Sequence, residues 1–265
     1  MTIEGAIGVF DSGIGGLTVL RTLRKSLPEE SFVYLGDTAR VPYGNKSPET
    51  VLRFSRENVA FLMQQGVKFV VVACNTASAE AVPVLQEEFP VPIVGVLEPG
   101  VRAALKATEN NRIGVIGTAG TIRSDAYQKR IRELNPKVKV TARACPLFVP
   151  LVEEGWTDSD VTRMVATTYL DDLRDEGIDA LVLGCTHYPL LRDVIGRVMG
   201  DSVTLVDSAV ETAREVRRAL EADAMLRSGG TPDLSIYLTD VTPNFTEVGE
   251  RILGDKIRDV RLLAV

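Results

Sequence analysis

Two of the three cysteines in this chain of 265 residues follow short apolar runs of similar sequence. Residues 69–78 read FVVVACNTAS and residues 180–189 read ALVLGCTHYP, so Cys74 and Cys185 each separate an apolar run from small polar residues. A thiol between a strand and a helix N-terminus meets the partial positive charge there, which favours the thiolate. One such cysteine is more often a packing residue, but core packing does not require a matched pair. We therefore interpret both thiols as functional.

Three further side chains are candidates for exchanging protons with these thiols. His187, the only histidine, lies two residues beyond Cys185, where it can serve as a hydrogen-bond partner or proton relay. Asp11, in FDSG, follows another strand-like run, although aspartate in such a turn is frequently only a cap. Glu153, in PLVEEGW, is by itself typical of a solvated surface acid. Cys145, in ARACPLFVP, has no polar partner in sequence and is predicted to be a core residue.

Hydroxyl and amide groups also cluster at the predicted strand ends. The segment DSGIGG lacks the GKS/T ending of a P-loop and the spacing of the dinucleotide fingerprint, so it is a weak phosphate motif. Backbone amides near a glycine-rich turn, with neighbouring hydroxyls and amides, are better suited to a small carboxylate. The residues that we assign to this role are Ser12, Asn75, Thr76, Thr118, Thr121 and Thr186.

The composition is that of an ordinary globular protein, with 45% hydrophobic residues and a net charge of −6. The absence of a basic block disfavours binding to nucleic acid. The start MTIEGAIGVF does not resemble a signal peptide, and no apolar run has membrane-spanning length. Three widely spaced cysteines, with one histidine and no CxxC, argue against a disulfide framework or a metal site. We expect a cytoplasmic protein with free thiols.

Strand-like and helix-like segments alternate along the chain. Ser47 and Pro48 are typical of an N-cap and a first-turn proline, and they predict a helix that runs to about Gly66. The predicted strands are 6–10, 31–37, the run ending at Cys74, 92–96, 112–117, 138–142, 180–184 and 203–207, then two more around a short helix. Apolar strands joined by helices indicate a parallel sheet covered on both faces, so the predicted class is α/β.

A second pair of similar segments indicates an internal duplication. IGVFDSGIGG begins at residue 7 and IGVIGTAGTI at residue 113, while the two cysteine segments begin at residues 69 and 180. Two such pairs, in the same order and at nearly the same offset, are typical of a repeated unit. Each unit would present the carboxyl ends of a parallel sheet, where ligands usually bind. We predict two similar lobes with a cleft between them.

Taken together, six motifs closely resemble the glutamate racemase family of the aspartate/glutamate racemase superfamily. They run from residue 10 to residue 191 in the family's order. The motifs are FDSGIGGLTVL, GDTARVPYGNKS, ACNTAS, GTAGTIRSDAY, PLFVPLVEEG and GCTHYPLL. The resemblance implies a cofactor-independent isomerase that interconverts L- and D-glutamate and supplies D-glutamate for peptidoglycan synthesis, with a homodimer as the expected assembly.

The resemblance also implies residue roles. Cys74 would work on the D-enantiomer with assistance from Asp11, and Cys185 on the L-enantiomer with assistance from Glu153 and His187. The implied glutamate site is lined by Asp11, Ser12, Pro42, Tyr43, Gly44, Asn75, Thr76, Thr186 and His187.

The family's fold implies that residues 1–97 and 208–265 form one lobe and residues 98–207 the other. The C-terminal segment would thus return to complete the first lobe. The chain begins at its first predicted strand, without the N-terminal extension of members that a cell-wall precursor activates, which argues against such activation here.

Other interpretations remain open from the residues alone. An aspartate racemase would use the same thiols, and spacing does not separate the two substrates. Cys185 with His187 is also consistent with a hydrolase nucleophile, as in glutaminases, although this leaves Cys74 unused. A redox pair and a non-catalytic amino-acid-binding protein are further alternatives. Racemisation accounts for both thiols, because it needs a base on one face of the substrate and an acid on the other.

Overall fold

The computed structural model describes residues 5–241, 245–257 and 259–263, and ten strands lie in these ranges. The strands are β1 Ile7–Asp11, β2 Phe32–Gly36, β3 Phe69–Val72, β4 Ile93–Gly95, β5 Arg112–Gly117, β6 Lys139–Ala144, β7 Ala180–Gly184, β8 Thr204–Val206, β9 Leu234–Leu238 and β10 Val260–Leu262. Each predicted strand is present: 112–117 and 180–184 have the predicted bounds, and the ends of the others lie within two residues of the prediction. The two strands predicted near the C-terminus are β9 and β10.

The strands form two sheets in which every described pair is parallel. The first sheet has the order β10-β9-β2-β1-β3-β4, and the second has the order β6-β5-β7-β8. The order β2-β1-β3-β4 therefore recurs as β6-β5-β7-β8. This recurrence supports the predicted duplication, and it places β3 and β7, which precede the two cysteines, at the same position in each sheet.

Helices cover both faces of each sheet. They are α1 Leu17–Ser26, α2 Pro48–Gln64, α3 Asn75–Glu80, α4 Val82–Glu88, α5 Leu97–Ala107, α6 Ala119–Arg123, α7 Ala126–Leu134, α8 Phe148–Glu153, α9 Asp160–Asp175, α10 Arg192–Met199, α11 Ser208–Ala222 and α12 Phe245–Leu253. The predicted fold class, two parallel α/β lobes flanked by helices, is confirmed. No helix in the described ranges has the length and apolar character needed to cross a bilayer.

The apolar side chains form one layer on each face of each sheet. On the first sheet, α1, α11 and α12 cover one face, and α2, α3 and α4 cover the other. On the second sheet, α8, α9 and α10 lie on one face, and α5 and α7 lie on the other. Leu17, Leu20 and Leu23 are fully buried on one stripe of α1, as their helical spacing predicts. Burying a leucine contributes about 1.5–3 kcal/mol.

The start of α2 follows its sequence signals closely. The hydroxyl of Ser47 accepts a hydrogen bond from the backbone N–H of Thr50 at 3.3 Å, and Pro48 occupies the first turn. The helix ends at Gln64, and Gly66 follows with a φ of +72°, a conformation that favours glycine. The predicted helix is confirmed.

The chain passes from the first sheet to the second through α5 and returns through α11, and these two helices pack against each other. The first sheet takes strands from both ends of the described chain, and the second takes strands from its middle. The division into residues 1–97 with 208–265 and residues 98–207 stays a prediction, because sheet membership alone does not define a domain boundary.

Candidate active site

Cys74 lies just after β3 and caps the N-terminus of α3. Its side chain is buried, and its Sγ donates to the hydroxyl of Ser12 at 3.7 Å. Ser12 follows Asp11, the last residue of the neighbouring strand β1. The adjacent carboxyl ends of β1 and β3 therefore place the thiol, the hydroxyl and a buried carboxyl group together.

Cys185 lies just after β7, at the equivalent point of the second sheet. Its Sγ is 3.8 Å from Nδ1 of His187, and the opposite ring nitrogen, Nε2, is 3.3 Å from Oε1 of Glu153. The second contact has the distance of an ion pair but not the alignment of a hydrogen bond. Cys185 and His187 are buried, whereas the Glu153 side chain, at the end of α8, is 36% exposed. A path of proton-carrying groups thus leads from the thiol toward solvent.

The surroundings of His187 favour its protonated form. Burial lowers the pKa of the imidazole, but interactions with Cys185 and Glu153 outweigh this effect and raise the pKa to about 10. The imidazole therefore carries its proton beside the Sγ of Cys185. The arrangement gives Cys185 a partner that can hold or return a proton at neutral pH.

The surroundings of Cys74 favour its protonated form, although a helix N-terminus by itself favours the thiolate. Burial raises the pKa of Cys74 to about 12, and the charges of Asp11 and Cys185 act in the same direction. The amide of Ala77 and the hydroxyl of Ser12 lower the pKa, but each does so by less than burial or the charge of Asp11 raises it. The dipole is weak because α3 has only six residues.

Asp11 is fully buried at the junction of the lobes. Its Oδ2 accepts from the amide of Gly13 at 2.9 Å, and its Oδ1 accepts from the hydroxyl of Thr186 at 3.4 Å. Burial raises the pKa of Asp11, while the charge of His187 lowers it by less. A carboxyl group with a raised pKa is a better proton acceptor for a neighbouring thiol.

The glycines of DSGIGG allow the first lobe to touch the second. A Cβ on Gly15 would lie 2.4 Å from Oγ1 of Thr186 and 2.5 Å from Nδ1 of His187, so no larger residue fits. The hydroxyl of Thr18 donates to the carbonyl of Thr186 at 3.2 Å from the same side. The sequence predicts that this loop binds a carboxylate, and close packing on the Cys185 segment accounts for the glycine at position 15.

Three threonines meet where the lobes face each other. Oγ1 of Thr76 lies 2.9 Å from Oγ1 of Thr118 and 3.1 Å from Oγ1 of Thr121. Thr118 also caps α6, where its hydroxyl accepts from the amide of Thr121 at 3.3 Å. A Cβ on Gly44 would lie only 2.5 Å from Cβ of Thr118, so no larger residue fits at position 44 either. These hydroxyls come from both lobes, as a ligand site in the cleft requires.

The segment around Pro42 is held by groups that sequence reasoning missed. Pro42 is exposed, whereas Tyr43 is buried and its hydroxyl donates to the carboxylate of Asp37 and accepts from Nδ2 of Asn58 at 3.0 Å. Nε of Arg40 donates to the same carboxylate at 2.8 Å. The hydroxyl of Tyr43 is therefore engaged by protein, and Asp37 and Arg40 position the segment. The signal for them was their place in GDTARVPYG, directly after β2.

Two other predictions concern residues outside the proton-exchanging groups. Asn75 is buried on the first turn of α3, and its Oδ1 accepts from the hydroxyl of Tyr127 at 2.7 Å. Cys145 is fully buried in the apolar layer that also contains Phe148 and Tyr188, as predicted for a core residue. Among the described residues, no three His, Cys, Asp or Glu side chains are grouped as metal ligands would be.

Comparison with known proteins assigns this site to a family. The sequence profile of the Asp/Glu/Hydantoin racemase family matches residues 12–216, which include both cysteines, His187 and Glu153, and the match begins one residue after Asp11. The chain belongs to the Asp/Glu/Hydantoin racemase family. As a family member it is an isomerase, an amino-acid racemase, and the resemblance seen in the motifs is confirmed.

Individual relatives of this racemase cover nearly its full length. It is 56% identical over 256 residues to a glutamate racemase from Geobacter metallireducens, which spans 96% of this chain and 95% of the relative. A glutamate racemase isoform from Bacillus anthracis has a similar structure, with a TM-score of 0.95, 42% identity and coverage of 99% and 98% of the two chains. A glutamate racemase from Francisella tularensis, solved in complex with D-glutamate, has a TM-score of 0.93 at 37% identity, with 98% of each chain covered.

Proposed function

We propose that this racemase interconverts L- and D-glutamate by a two-base mechanism in which Cys74 and Cys185 exchange protons with opposite faces of the substrate. The observation that carries this proposal is the pair of buried thiols at equivalent strand ends of the two lobes, each with different proton partners. The names of the relatives from Geobacter and Francisella support glutamate as the substrate.

The chemistry requires a base and an acid at the same time. Removal of the Cα proton leaves a near-planar carbanion, and inversion follows when a new proton arrives on the other face. A model thiol has a pKa of about 8.5, so neighbouring groups must keep one thiol deprotonated and the other protonated near neutral pH. The two different settings provide such a pair.

Conversion of L-glutamate begins at Cys185 in this scheme. The Cys185 thiolate, paired with protonated His187, removes the Cα proton, and the Cys74 thiol, whose pKa is raised by burial, donates a proton to the opposite face. In the reverse direction Cys74 acts as the base after it transfers its proton to Asp11, and Cys185, which takes a proton from His187, donates that proton to the opposite face. Glu153 lies at the solvent-facing end of the path from His187, where it exchanges protons between the imidazole and solvent and restores the starting protonation state.

The same proposal assigns polar side chains of both lobes to the two carboxylates of glutamate. Ser12, Asn75, Thr76, Thr118, Thr121 and Thr186 supply hydrogen-bond donors, and Asp11, Pro42, Tyr43, Gly44 and His187 line the site. Because these groups come from both lobes, contact between the lobes excludes water and fixes the distance from each sulfur to the substrate.

The wider roles are also proposals. We propose that the enzyme works without a cofactor, acts in the cytoplasm as a homodimer and supplies D-glutamate for peptidoglycan synthesis. Residues 1–97 with 208–265 and residues 98–207 would act as the two lobes that close on the substrate.

The direct test follows the optical rotation of L-glutamate and of L-aspartate with purified protein from which small molecules have been removed. We expect L-glutamate to lose rotation until the enantiomers are equal, and L-aspartate to react at a much lower rate. Faster racemisation of L-aspartate would contradict glutamate as the substrate. Release of ammonia from glutamine, with a thioester trapped on Cys185, would instead support the hydrolase alternative.

A further inference from the structure

We infer that Tyr127 is a positioning residue that turns the amide of Asn75 toward the substrate. The inference rests on the proposed function, in which Asn75 binds the amino acid. Tyr127 belongs to α7 on the second sheet, whereas Asn75 begins α3 beside the first. The hydroxyl of Tyr127 donates to Oδ1 of Asn75 at 2.7 Å, and both side chains are buried.

This hydrogen bond decides which end of the amide faces the cleft. Within the described ranges, Oδ1 of Asn75 is the only acceptor of the Tyr127 hydroxyl proton. If the amide were reversed, its NH2 group would face the hydroxyl, and the hydroxyl proton would be buried without an acceptor. Since an unsatisfied buried donor is costly, the observed orientation is strongly preferred.

The opposite end of the same amide is free to bind a ligand. Among the described residues, Nδ2 of Asn75 donates to no protein atom, although only 4% of the residue is exposed. Nδ2 itself is not fully enclosed by protein, so its N–H donors remain accessible to a ligand. Asn75 follows Cys74 directly in the chain, so a carboxylate oxygen of a substrate beside Cys74 can accept hydrogen bonds from these two N–H groups.

The ring of Tyr127 also touches the other cysteine segment. A Cβ on Gly184, the residue before Cys185, would lie 3.5 Å from Cε2 of Tyr127, and a Cβ on Gly100 would lie 3.1 Å from its hydroxyl oxygen. One side chain therefore packs on the backbone that carries Cys185 and bonds to the residue that follows Cys74. It can hold Asn75 only when the two lobes are in contact.

The test is a double-mutant cycle on the kinetics of the full chain with glutamate. Tyr127→Phe removes only the hydroxyl, and we expect it to raise KM roughly fivefold with little change in kcat, because a net hydrogen bond is lost. Asn75→Ala should raise KM by at least as much. Since Tyr127 acts through Asn75, the double variant should be no worse than Asn75→Ala alone.

Tyr188→Phe is the matched control. It removes a buried hydroxyl of the same lobe that donates to the carbonyl of Cys145 at 2.8 Å, so its effect should multiply with that of Asn75→Ala. If Tyr127→Phe does not fold, Asn75→Asp keeps the acceptor for Tyr127 but removes the N–H donors, and it should raise KM by more than tenfold.

Two results would overturn the role of Tyr127 if the wild-type chain is active. One is that the effects of Tyr127→Phe and Asn75→Ala on KM multiply in the double variant. The other is that KM is unchanged in Tyr127→Phe or in Asn75→Asp. A wild-type chain that does not racemise glutamate would overturn the proposed function, and this inference with it.

Discussion

The two cysteine segments have the same chain path and different surroundings. Cys74 follows β3 and Cys185 follows β7, which hold the same place in their sheets. Cys74 lies beside the Ser12 hydroxyl and a buried carboxyl group, while Cys185 lies beside an imidazole whose pKa is raised. A duplicated scaffold thus places the two thiols at equivalent positions and beside different proton partners. The proposed mechanism depends on this difference.

Replacing either cysteine should have the largest effect. Cys74→Ser and Cys185→Ser should each lower racemisation on the order of 10³-fold, because a serine hydroxyl is a far weaker base than a thiolate. Chiral chromatography of the products measures both directions. Cys145→Ala is the matched control, since Cys145 is a core thiol, and it should lower the melting temperature more than the rate. Activity above a tenth of wild type in either serine variant would remove that thiol from the mechanism.

Replacing His187 should affect the step at Cys185 more than the step at Cys74. His187→Asn removes the proton partner of Cys185 and should lower the rate from L-glutamate about 10²-fold, within the usual range for acid–base groups. The pH–rate profile should also shift relative to wild type. Asp11→Asn offers the comparison on the Cys74 side, where we expect the profile from D-glutamate to shift more. Unchanged profiles in both variants would show that neither group tunes a thiol.

Gly15→Ala should disrupt the contact between the two lobes. Its Cβ would overlap Thr186 and His187, so the Cys185 segment must move, and overpacking of this kind costs about 1–3 kcal/mol. We expect roughly a tenfold loss of kcat/KM from L-glutamate. Gly13→Ala is the matched control, because a Cβ there meets nothing closer than 3.4 Å, and it should lose much less. Equal losses in the two variants would refute close packing as the reason for Gly15.

The effect that bears least on the reaction rate is a pH dependence of stability on the Cys185 side. The pKa of His187 is raised from 6.5 to about 10 in the folded chain, so the folded state binds the proton more tightly than the unfolded state. The stabilisation is therefore complete below pH 6.5 and is lost as pH rises through about 10. Urea unfolding at several pH values should show the advantage of wild type over His187→Asn shrinking across this window. If the difference in free energy of unfolding between wild type and His187→Asn grows with pH, the proposed stabilisation by protonated His187 is wrong.

Most of the fold and the pairing of the cysteines could be predicted, because they depend on local patterns. The apolar runs before Cys74 and Cys185 predict strands, and their common offset with IGVFDSGIGG and IGVIGTAGTI predicts equivalent positions. The protonation state of Cys74 could not be predicted, since burial and the charge of Asp11 outweigh the helix dipole only in the folded chain.

The supporting residues were also hidden in the sequence. Tyr43 was predicted to line the site, but its hydroxyl is engaged by Asp37, which lies in a different turn of the same segment. The role of Gly15 depends on how closely the second lobe approaches it, and the bond from Tyr127 to Asn75 joins residues 52 positions apart. Such contacts follow from tertiary packing rather than from periodicity or motif.

The most direct test of two separate thiols is racemisation of L-glutamate in heavy water, analysed during the first few per cent of reaction. We predict that the D-glutamate formed carries solvent deuterium at Cα while the recovered L-glutamate carries almost none, because one sulfur removes the proton and the other delivers its replacement. Deuterium entering the recovered L-glutamate as fast as the product would mean that a single base serves both faces, and it would contradict the account.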